Sequence, residues 1–471
     1  MFFSVHFETL GCKLNQIETE SLAREFADAG FDTADTLPVL LALVNTCTVT
    51  GKAEQKGRHL MRSLLRRFPL ATVLVTGCQA ELEAAALAAI DPRVAVLPGT
   101  RKGSLADLPA HLARVLVPSS RTDQEKAAAI QAAITCFPGM ITGKQSSFAQ
   151  SDAETAGQEV QPVHQPGFIS LSIDPFRLST DSTRFHSRPA IKIQDGCNNR
   201  CAYCRIRLAR GPARSLDSCE AIRRIQAIEQ NGAAEVVLTG VNLSQYTSDG
   251  TDLAGLMEQL LEQTERIAFR ISSLYPERVD QALLPILTHP RIRPHFHLSI
   301  QSGSDSILRS MRRPYNRQTV VQSIEGLRRI KNDPFIACDL ITGFPGETDQ
   351  DFYDTLSLCR VAGFADIHAF PFSPRPGTEA WSMKPRVPER VAGERLVQLS
   401  ELAAAGTAAY RQRWLGKTVC AVVEESRHGE PGRVLTENYL TLFVPGLNVN
   451  PGKEILVRII DSGSGEFVSA N

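Results

Sequence analysis

Six of the eleven cysteines in this chain fall into two sets of three. The first set is tight: Cys197, Cys201 and Cys204, within Asp195-Gly196-Cys197-Asn198-Asn199-Arg200-Cys201-Ala202-Tyr203-Cys204. The second is dispersed: Cys12 in Gly11-Cys12-Lys13-Leu14-Asn15, Cys47 in Asn45-Thr46-Cys47-Thr48, and Cys78 in Thr76-Gly77-Cys78-Gln79. Thiolates are the usual ligands of 4Fe-4S clusters, and a cubane normally takes four, so a set of three leaves one iron open for chemistry. A structural zinc would instead want four ligands with tetrahedral closure. No fourth Cys or His lies close to the tight set, since Cys219 is fifteen residues beyond Cys204. Taken singly, each dispersed cysteine also reads as a small apolar residue closing a strand. Cys136, Cys219, Cys338, Cys359 and Cys420 are read that way, as ordinary thiols.

The elements that must position these residues follow from the apolar pattern. Runs of strand length over Ser4 to Thr9, Val39 to Val44, Ala71 to Val75 and Val94 to Leu97 alternate with helix-period segments, which predicts a parallel sheet covered by helices. Each dispersed cysteine lies just past the C-terminal end of one of these strands, the edge where open α/β sheets bind ligands. From about Pro118 to Thr183 the pattern weakens. Glu125 to Thr135 predicts a short Ala-rich helix, and the remainder, such as Gly143-Lys144-Gln145 and Gln161-Pro162-Val163, is polar and turn-rich and reads as a linker or insertion.

Regular βα alternation resumes with strands expected at Ala190 to Gln194, Glu235 to Thr239, Ile267 to Ile271, Phe296 to Ile300, Ile336 to Ile341 and Asp366 to Phe370. Six such units predict a partial TIM-like barrel with its site at the C-terminal strand ends, and the tight cysteine set follows the first strand. After about Arg411 short strands at Val419 to Glu424, Tyr439 to Val444 and Ile455 to Ile460 suit a small β-barrel, a fold with many uses that include binding oligonucleotides.

Composition sets the outer bounds. At 471 residues the chain exceeds what one core usually serves. Its formal net charge is zero, so the global balance neither demands nor excludes a nucleic-acid partner. The start Met-Phe-Phe-Ser-Val-His reads as a first strand and not as a signal peptide. No apolar run approaches the roughly 20 residues needed to cross a bilayer, so no membrane association is expected. Cysteines in metal-ligand spacing favour a reducing cytoplasm over a disulfide framework.

The tight loop resembles the CxxxCxφC signature of the radical S-adenosylmethionine enzymes, with Tyr203 as the aromatic residue before the last cysteine. The two cysteine sets together resemble the radical S-adenosylmethionine methylthiotransferases over nearly the whole chain. That resemblance implies an α/β fold in three parts: an N-terminal cluster domain over 1–117, followed by a linker or insertion over 118–183; a radical core over 184–410; and a TRAM-like RNA-binding β-barrel over 411–471. It implies two 4Fe-4S clusters, one on Cys197, Cys201 and Cys204 and one on Cys12, Cys47 and Cys78. It also implies S-adenosylmethionine as radical source and methyl donor. Strand-end segments look like contacts for that cofactor: Tyr203 beside the cluster, Gly240 and Asn242 in Thr239-Gly240-Val241-Asn242, Ser272, Gln301 and Ser302, and Gly343. Tight turns between strand and helix are the alternative reading of the glycines.

Within the family, Gly11-Cys12-Lys13-Leu14-Asn15-Gln16, Asn45-Thr46-Cys47-Thr48-Val49-Thr50 and Thr239-Gly240-Val241-Asn242-Leu243 are similar to the GCKxNQ, NTCTVT and TGVNL patterns of the branch that acts on N6-threonylcarbamoyladenosine in tRNA. Two segments depart from the usual pattern. Cys204-Arg205-Ile206-Arg207-Leu208-Ala209-Arg210-Gly211 stands where CIIPxARG is expected, and Met311-Arg312-Arg313-Pro314-Tyr315-Asn316 where MxRxYT is expected. The expected partners are tRNA, an electron donor such as flavodoxin or ferredoxin, and a sulfur donor of unspecified kind. Arg205, Arg207, Arg210 and Arg214, then Arg62, Arg66 and Arg67, and finally Arg411, Arg413 and Lys417 form a candidate phosphate track; solvated helix faces are the alternative. The rival functions are methylthiolation of isopentenyladenosine in tRNA or of a ribosomal-protein aspartate, and a non-catalytic metal-binding protein that associates with RNA.

Overall fold

The segment Val39–Thr46 is apolar for six residues before Asn45, and seven of its eight residues are buried. Only a central strand covered on both faces can use such a run. The computed structural model of the chain describes residues 3–116, 122–143, 174–178, 188–426, 431–461 and 466–470. Two compact units are distinguished, one of residues 1–180 with 208–211, the other of residues 181–207 with 212–471.

In the first unit β1 (Ser4–Thr9), β2 (Val39–Thr46), β3 (Thr72–Gly77) and β4 (Val94–Val96) pair in parallel in chain order. The crossovers carry α1 (Lys13–Asp28), α2 (Gly51–Arg67) and α3 (Cys78–Ala88). Alternation along β2 separates two cores: Leu41 and Leu43 pack with Val5, Leu22 and Phe26, while Ala42 and Val44 pack with Met61, Leu64, Val73 and Val75.

The segment expected to be a linker contributes to this unit. After α4 (Leu108–Val115), α5 (Asp123–Thr135) starts with a reciprocal cap between Thr122 and Glu125. Its Ile130 and Ile134 join the first core together with Phe137 and Met140. The chain then adds β5 (Ile141–Thr142) antiparallel to β4. Alanine contributes little to an apolar pattern, so the packing face of α5 is faint in the sequence. Most of 118–183, including Gln161 to Pro166, lies outside the described residues.

In the second unit the six expected strands are β6 (Ala190–Asp195), β7 (Glu235–Gly240), β8 (Ala268–Ile271), β9 (His295–Gln301), β10 (Phe335–Thr342) and β11 (Asp366–Pro371). β6, β7 and β8 share one parallel sheet; Ser273–Leu274, directly after β8, begins a second parallel sheet with β9, β10 and β11. α6 (Ser218–Gln230), α7 (Leu253–Gln263), the short Leu283–Leu287, α8 (Arg317–Ile330) and α9 (Asp349–Ala362) fill the crossovers, and α10 (Glu389–Trp414) follows β11. The βα alternation read from the sequence is thus the partial barrel of the structure.

The C-terminal strands β12 (Thr418–Glu424), β13 (Gly432–Thr436), β14 (Thr441–Val444), β15 (Glu454–Asp461) and β16 (Glu466–Ala470) close into a barrel in the order β12-β13-β14-β16-β15. The sequence reading lacked β13 and β16. Tyr410 and Trp414 on α10 and Phe335 on β10 pack into one core with Val419, Val434, Leu442 and Val457. Beside it Glu235, 1% exposed, takes Arg270 at 2.7 Å, Arg293 at 3.0 Å and Arg188 at 3.3 Å, while Arg293 also reaches Glu454 and Arg188 reaches Glu424. Burial opposes the charge on Glu235, and the arginines outweigh it, holding the carboxyl well below the usual range. Removing the shared counter-charge of a buried network costs about 3–5 kcal/mol. Glu235→Gln is therefore expected to lower the thermal midpoint clearly, by calorimetry or circular dichroism, whereas Glu220→Gln on the solvent side of α6 leaves it nearly unchanged.

Candidate active site

Cys12, Cys47 and Cys78 emerge at one sheet edge because Thr9 is in register with Asn45, and Thr46 with Gly77. Cys12 is the exposed N-cap of α1, Cys47 follows β2 and is buried, and Cys78 is the buried first residue of α3. Side chains tie the three together. Asn15 Nδ2 donates to the carbonyls of Leu10 (2.8 Å) and Thr46 (3.0 Å), and Thr46 Oγ1 donates to Thr76 O at 2.6 Å. Gly11, at φ +107°, lies so close that a Cβ there would stand 2.6 Å from Cys47 Cβ and 2.9 Å from its Sγ. Gly77, at φ +100°, would press a Cβ onto the Thr46 backbone and to 2.5 Å from Asn45 Oδ1.

The donor set suits a thiolate-bound cluster. Val49 N–H points at Cys47 Sγ (3.5 Å), the backbone hydrogen bond typical of cluster sulfurs. Burial pushes the Cys47 thiol up to about 11, so the thiolate needs a cation in place of its proton. Below Cys12, the buried Glu18 pairs with Lys102 and, at 3.1 Å, with Arg210, whose Nη2 also donates to Asn15 Oδ1 at 2.8 Å. Arg210 is thus engaged in a buried pair and is not part of an exposed phosphate track; it belongs to the four-residue segment Leu208–Gly211 assigned to this first unit.

The tight set sits where β6 ends. Gln194 Nε2 donates to the carbonyls of Asp195 (2.9 Å) and Gly196 (2.8 Å), turning the chain off the strand. Ala202 is pinned between Met311 and Ala380 by backbone hydrogen bonds of 3.1 and 2.8 Å, and Tyr203 meets Phe344 edge-on at 6.4 Å. Each thiol has its own donor: Asn242 Nδ2 to Cys197 Sγ (3.8 Å), Arg313 Nη1 to Cys201 Sγ (3.3 Å) and Ile206 N–H to Cys204 Sγ (3.4 Å). Burial raises Cys197 and takes Cys204 up to about 12. Three converging thiols with one donor each fit a cluster with an open iron, as the first set does.

Comparison with known proteins agrees with this arrangement. Residues 191–359 match the model of the radical SAM superfamily, and residues 4–99 that of the uncharacterized protein family UPF0004. The chain is 46% identical to a threonylcarbamoyladenosine tRNA methylthiotransferase MtaB of Treponema pallidum, over 98% of this chain and 99% of the relative. The chain belongs to the MtaB family of radical SAM methylthiotransferases. The MtaB of Bacillus subtilis is 30% identical over 99% of this chain and 96% of its own length. A tRNA-2-methylthio-N(6)-dimethylallyladenosine synthase of Erythrobacter litoralis is 27% identical over 97% and 94%. Among solved structures, the radical S-adenosylmethionine methyltransferase TsrM of Kitasatospora setae superposes with a TM-score of 0.52 at 13% identity, over 81% of this chain and 77% of that one, a likeness of fold. MtaB-type enzymes use S-adenosylmethionine and two 4Fe-4S clusters.

Seen as an MtaB family member, several expected cofactor contacts are explained by packing inside the protein. Gly240 admits Gln194, whose Cβ would lie 2.8 Å from an added Cβ. Ser302 is buried and turned toward α9, with Oγ 3.3 Å from Thr355 Oγ1 and accepting from Ser304 N. Gly343, at φ +73°, makes room for Ala392 of α10 and donates to Glu347 at 2.7 Å. Asn242 does reach the cysteine loop, and Ser272 is half-buried just beyond β8. Gln301 ends β9 in the left-handed region at φ +72°, which costs a residue with a side chain about 1–3 kcal/mol.

The sequence reading passed over Arg313 as part of a departing segment. In fact Met311, Arg313 and Tyr315 keep the MxRxY spacing; only Asn316 differs from the expected threonine, and it caps α8 by accepting from Thr319 N at 2.9 Å. Arg313 donates to Tyr315 Oη (2.6 Å) and Ser299 O (2.7 Å) and lies 4.5 Å over Tyr275. The Arg-x-Tyr spacing was the available signal. Elsewhere on the candidate phosphate track, Arg205 is buried, Arg413 pairs with Asp333 at 2.9 Å and Lys417 covers Trp414 at 4.5 Å, whereas Arg62, Arg66, Arg67, Arg207, Arg214 and Arg411 are exposed. Among the described residues no helix is long and apolar enough to cross a membrane.

The contact at Gly77 yields a direct test. Gly77→Ala adds both a strained φ and an overlap with backbone, each costing about 1–3 kcal/mol, and is expected to lower the thermal midpoint and the iron content. Gly250→Ala, also at positive φ (+81°) but with open space around it, bears only the first of these and should keep its iron.

Proposed function

We propose that this chain converts N6-threonylcarbamoyladenosine in tRNA to its 2-methylthio form, with Cys197, Cys201 and Cys204 holding the radical-generating cluster and Cys12, Cys47 and Cys78 the sulfur-donating one. The observation that carries the reading is the 46% identity over the full length to a relative named for that activity, supported by two separate thiol triads at parallel strand ends. The C2 carbon of a purine is inert to simple nucleophiles, so this substitution calls for a radical route and a bound sulfur source. Bound together, S-adenosylmethionine and the clusters supply a radical initiator, a sulfur atom and a methyl group.

The protein's own part is placement and electrostatics. Ala202, Met311 and Ala380 fix the tight loop by backbone hydrogen bonds, and Arg313 sets a positive charge against Cys201. Asn242 and Ile206 complete the donors to sulfur. Arg62, Arg66 and Arg67 of α2 and Arg207, all exposed, are candidate contacts for tRNA phosphates, and a splayed base is the expected substrate conformation. The reaction belongs to the cytoplasm, with flavodoxin or ferredoxin as the class of electron donor.

Nucleoside mass spectrometry of tRNA from a host lacking the modification tests this directly. The wild-type chain should produce 2-methylthio-N6-threonylcarbamoyladenosine and Cys47→Ala should not. A methylthiolated isopentenyladenosine instead, or no product from protein carrying both clusters, would defeat the assignment. A second expectation concerns Arg313. Removing a cationic donor to a cluster sulfur makes reduction harder, so Arg313→Gln should move one cluster's potential negative by roughly 60 mV, about 1.4 kcal/mol for a one-electron couple. Arg313→Lys should fall between, as read by EPR-monitored redox titration.

A further inference from the structure

On the face of the second unit's sheet opposite its helices, three strands bring together a set of side chains unrelated to the cysteines. His297 on β9, Asp339 on β10 and His368 on β11 each offer one ligand atom, and these atoms lie within 4.8 Å of one another. Asp339 and His368 are direct cross-strand partners, and His297 is in register with Ala337, two residues before Asp339, so all three project from the same face. The neighbouring Leu298, Cys338 and Ile367 are buried on the other face. We propose that His297, Asp339 and His368 form a binding site for a divalent transition cation of the zinc type, separate from both cysteine triads.

The geometry carries this in two independent ways. First, His297 Nε2 stands 3.1 Å and His368 Nδ1 3.7 Å from the same oxygen, Asp339 Oδ1. Donors about 2.0–2.2 Å from one cation are themselves spaced by about 2.9 Å at right angles to about 3.5 Å at tetrahedral angles; the His297 separation of 3.1 Å falls inside that range and the His368 separation of 3.7 Å lies just above it. His297 Nε2 is buried and, among the described residues, has no hydrogen-bond partner of acceptable geometry despite the nearby carboxylate. That nitrogen thus stands close to the carboxylate without a hydrogen bond to it.

Second, both rings are oriented from behind. His297 Nδ1 lies 3.0 Å from Ser273 Oγ, and His368 Nε2 lies 3.2 Å from Asp366 Oδ2. A hydroxyl or carboxylate on the far nitrogen is the arrangement that fixes the tautomer of a metal-binding histidine and raises its basicity. Two imidazoles and one carboxylate select a borderline transition cation over magnesium or calcium. Three protein ligands leave a coordination position for an oxygen donor, and His368, 46% exposed, leaves the group reachable from solvent. The rival occupant is a proton: between Asp339 and Asp366, His368 holds its own charge up to about 10.

The test uses the full chain with its clusters loaded, equilibrated anaerobically with zinc chloride, desalted and analysed for metals. The wild type is expected to retain about one zinc per chain. Asp339→Asn and His297→Gln should retain zinc at least ~10-fold more weakly, with iron content unchanged. Zinc-edge X-ray absorption of the wild type should show a first shell of nitrogen and oxygen with imidazole scattering; this measurement stands even if a variant fails to fold. A sulfur first shell, equal zinc in wild type and variants, or no zinc retained by the wild type would each overturn the proposal, the last leaving a protonated His368 as the bridge.

Discussion

Parallel main-chain pairing is the constraint from which the candidate cluster sites follow. A cysteine at position 12, one at 47 and one at 78 have no local reason to meet. They meet because β1, β2 and β3 run side by side in one direction and end together, with Thr9 opposite Asn45 and Thr46 opposite Gly77. The side chains at that edge then refine what the backbone hydrogen bonds have made. Thr46 and Asn15 spend their polar groups on neighbouring carbonyls, and Gly11 and Gly77 omit the Cβ atoms that would hold the loops apart. A one-strand change in sheet order would scatter the same residues.

Much of this was legible in the sequence because it rests on short-range signals. Central strands declare themselves as short apolar runs, and the six strands of the second unit were located to within a residue or two of their observed ends. The thiol triads were visible through their spacing and through their position after those runs. The family was visible through the same motifs, and the long match to MtaB relatives bears it out.

What was not legible depends on partners distant in the chain. Ser302 and Gly343 look like ligand contacts when only their own loops are read, and it takes α9 and α10 to show Thr355 and Ala392 against them. Arg210 looked like a phosphate contact until Glu18 and Asn15, nearly two hundred residues earlier, were placed beside it. Two strands of the C-terminal barrel escaped notice because β13 opens on glycine beside a turn-rich stretch and β16 has only Phe467 and Val468 as a short apolar pair between Glu466 and Ser469. Arg313 is a different case: Met311, Arg313 and Tyr315 keep the MxRxY spacing, but the contact to Cys201 that gives Arg313 its role is made across more than a hundred residues.

The way the C-terminal barrel is rooted also bears on how such a chain can change over evolutionary time. Phe335 belongs to a central strand of the radical core, and Tyr410 and Trp414 to the long helix α10, yet all three pack in one buried apolar cluster with residues of the small barrel. His295 stacks on Tyr439 of the barrel at 3.7 Å. A module joined by a tether is easily lost, traded or moved to another protein. This one shares its interior with its neighbour, so shedding it would uncover a tryptophan, a tyrosine and a phenylalanine together, and the two parts must be inherited and drift as a single object.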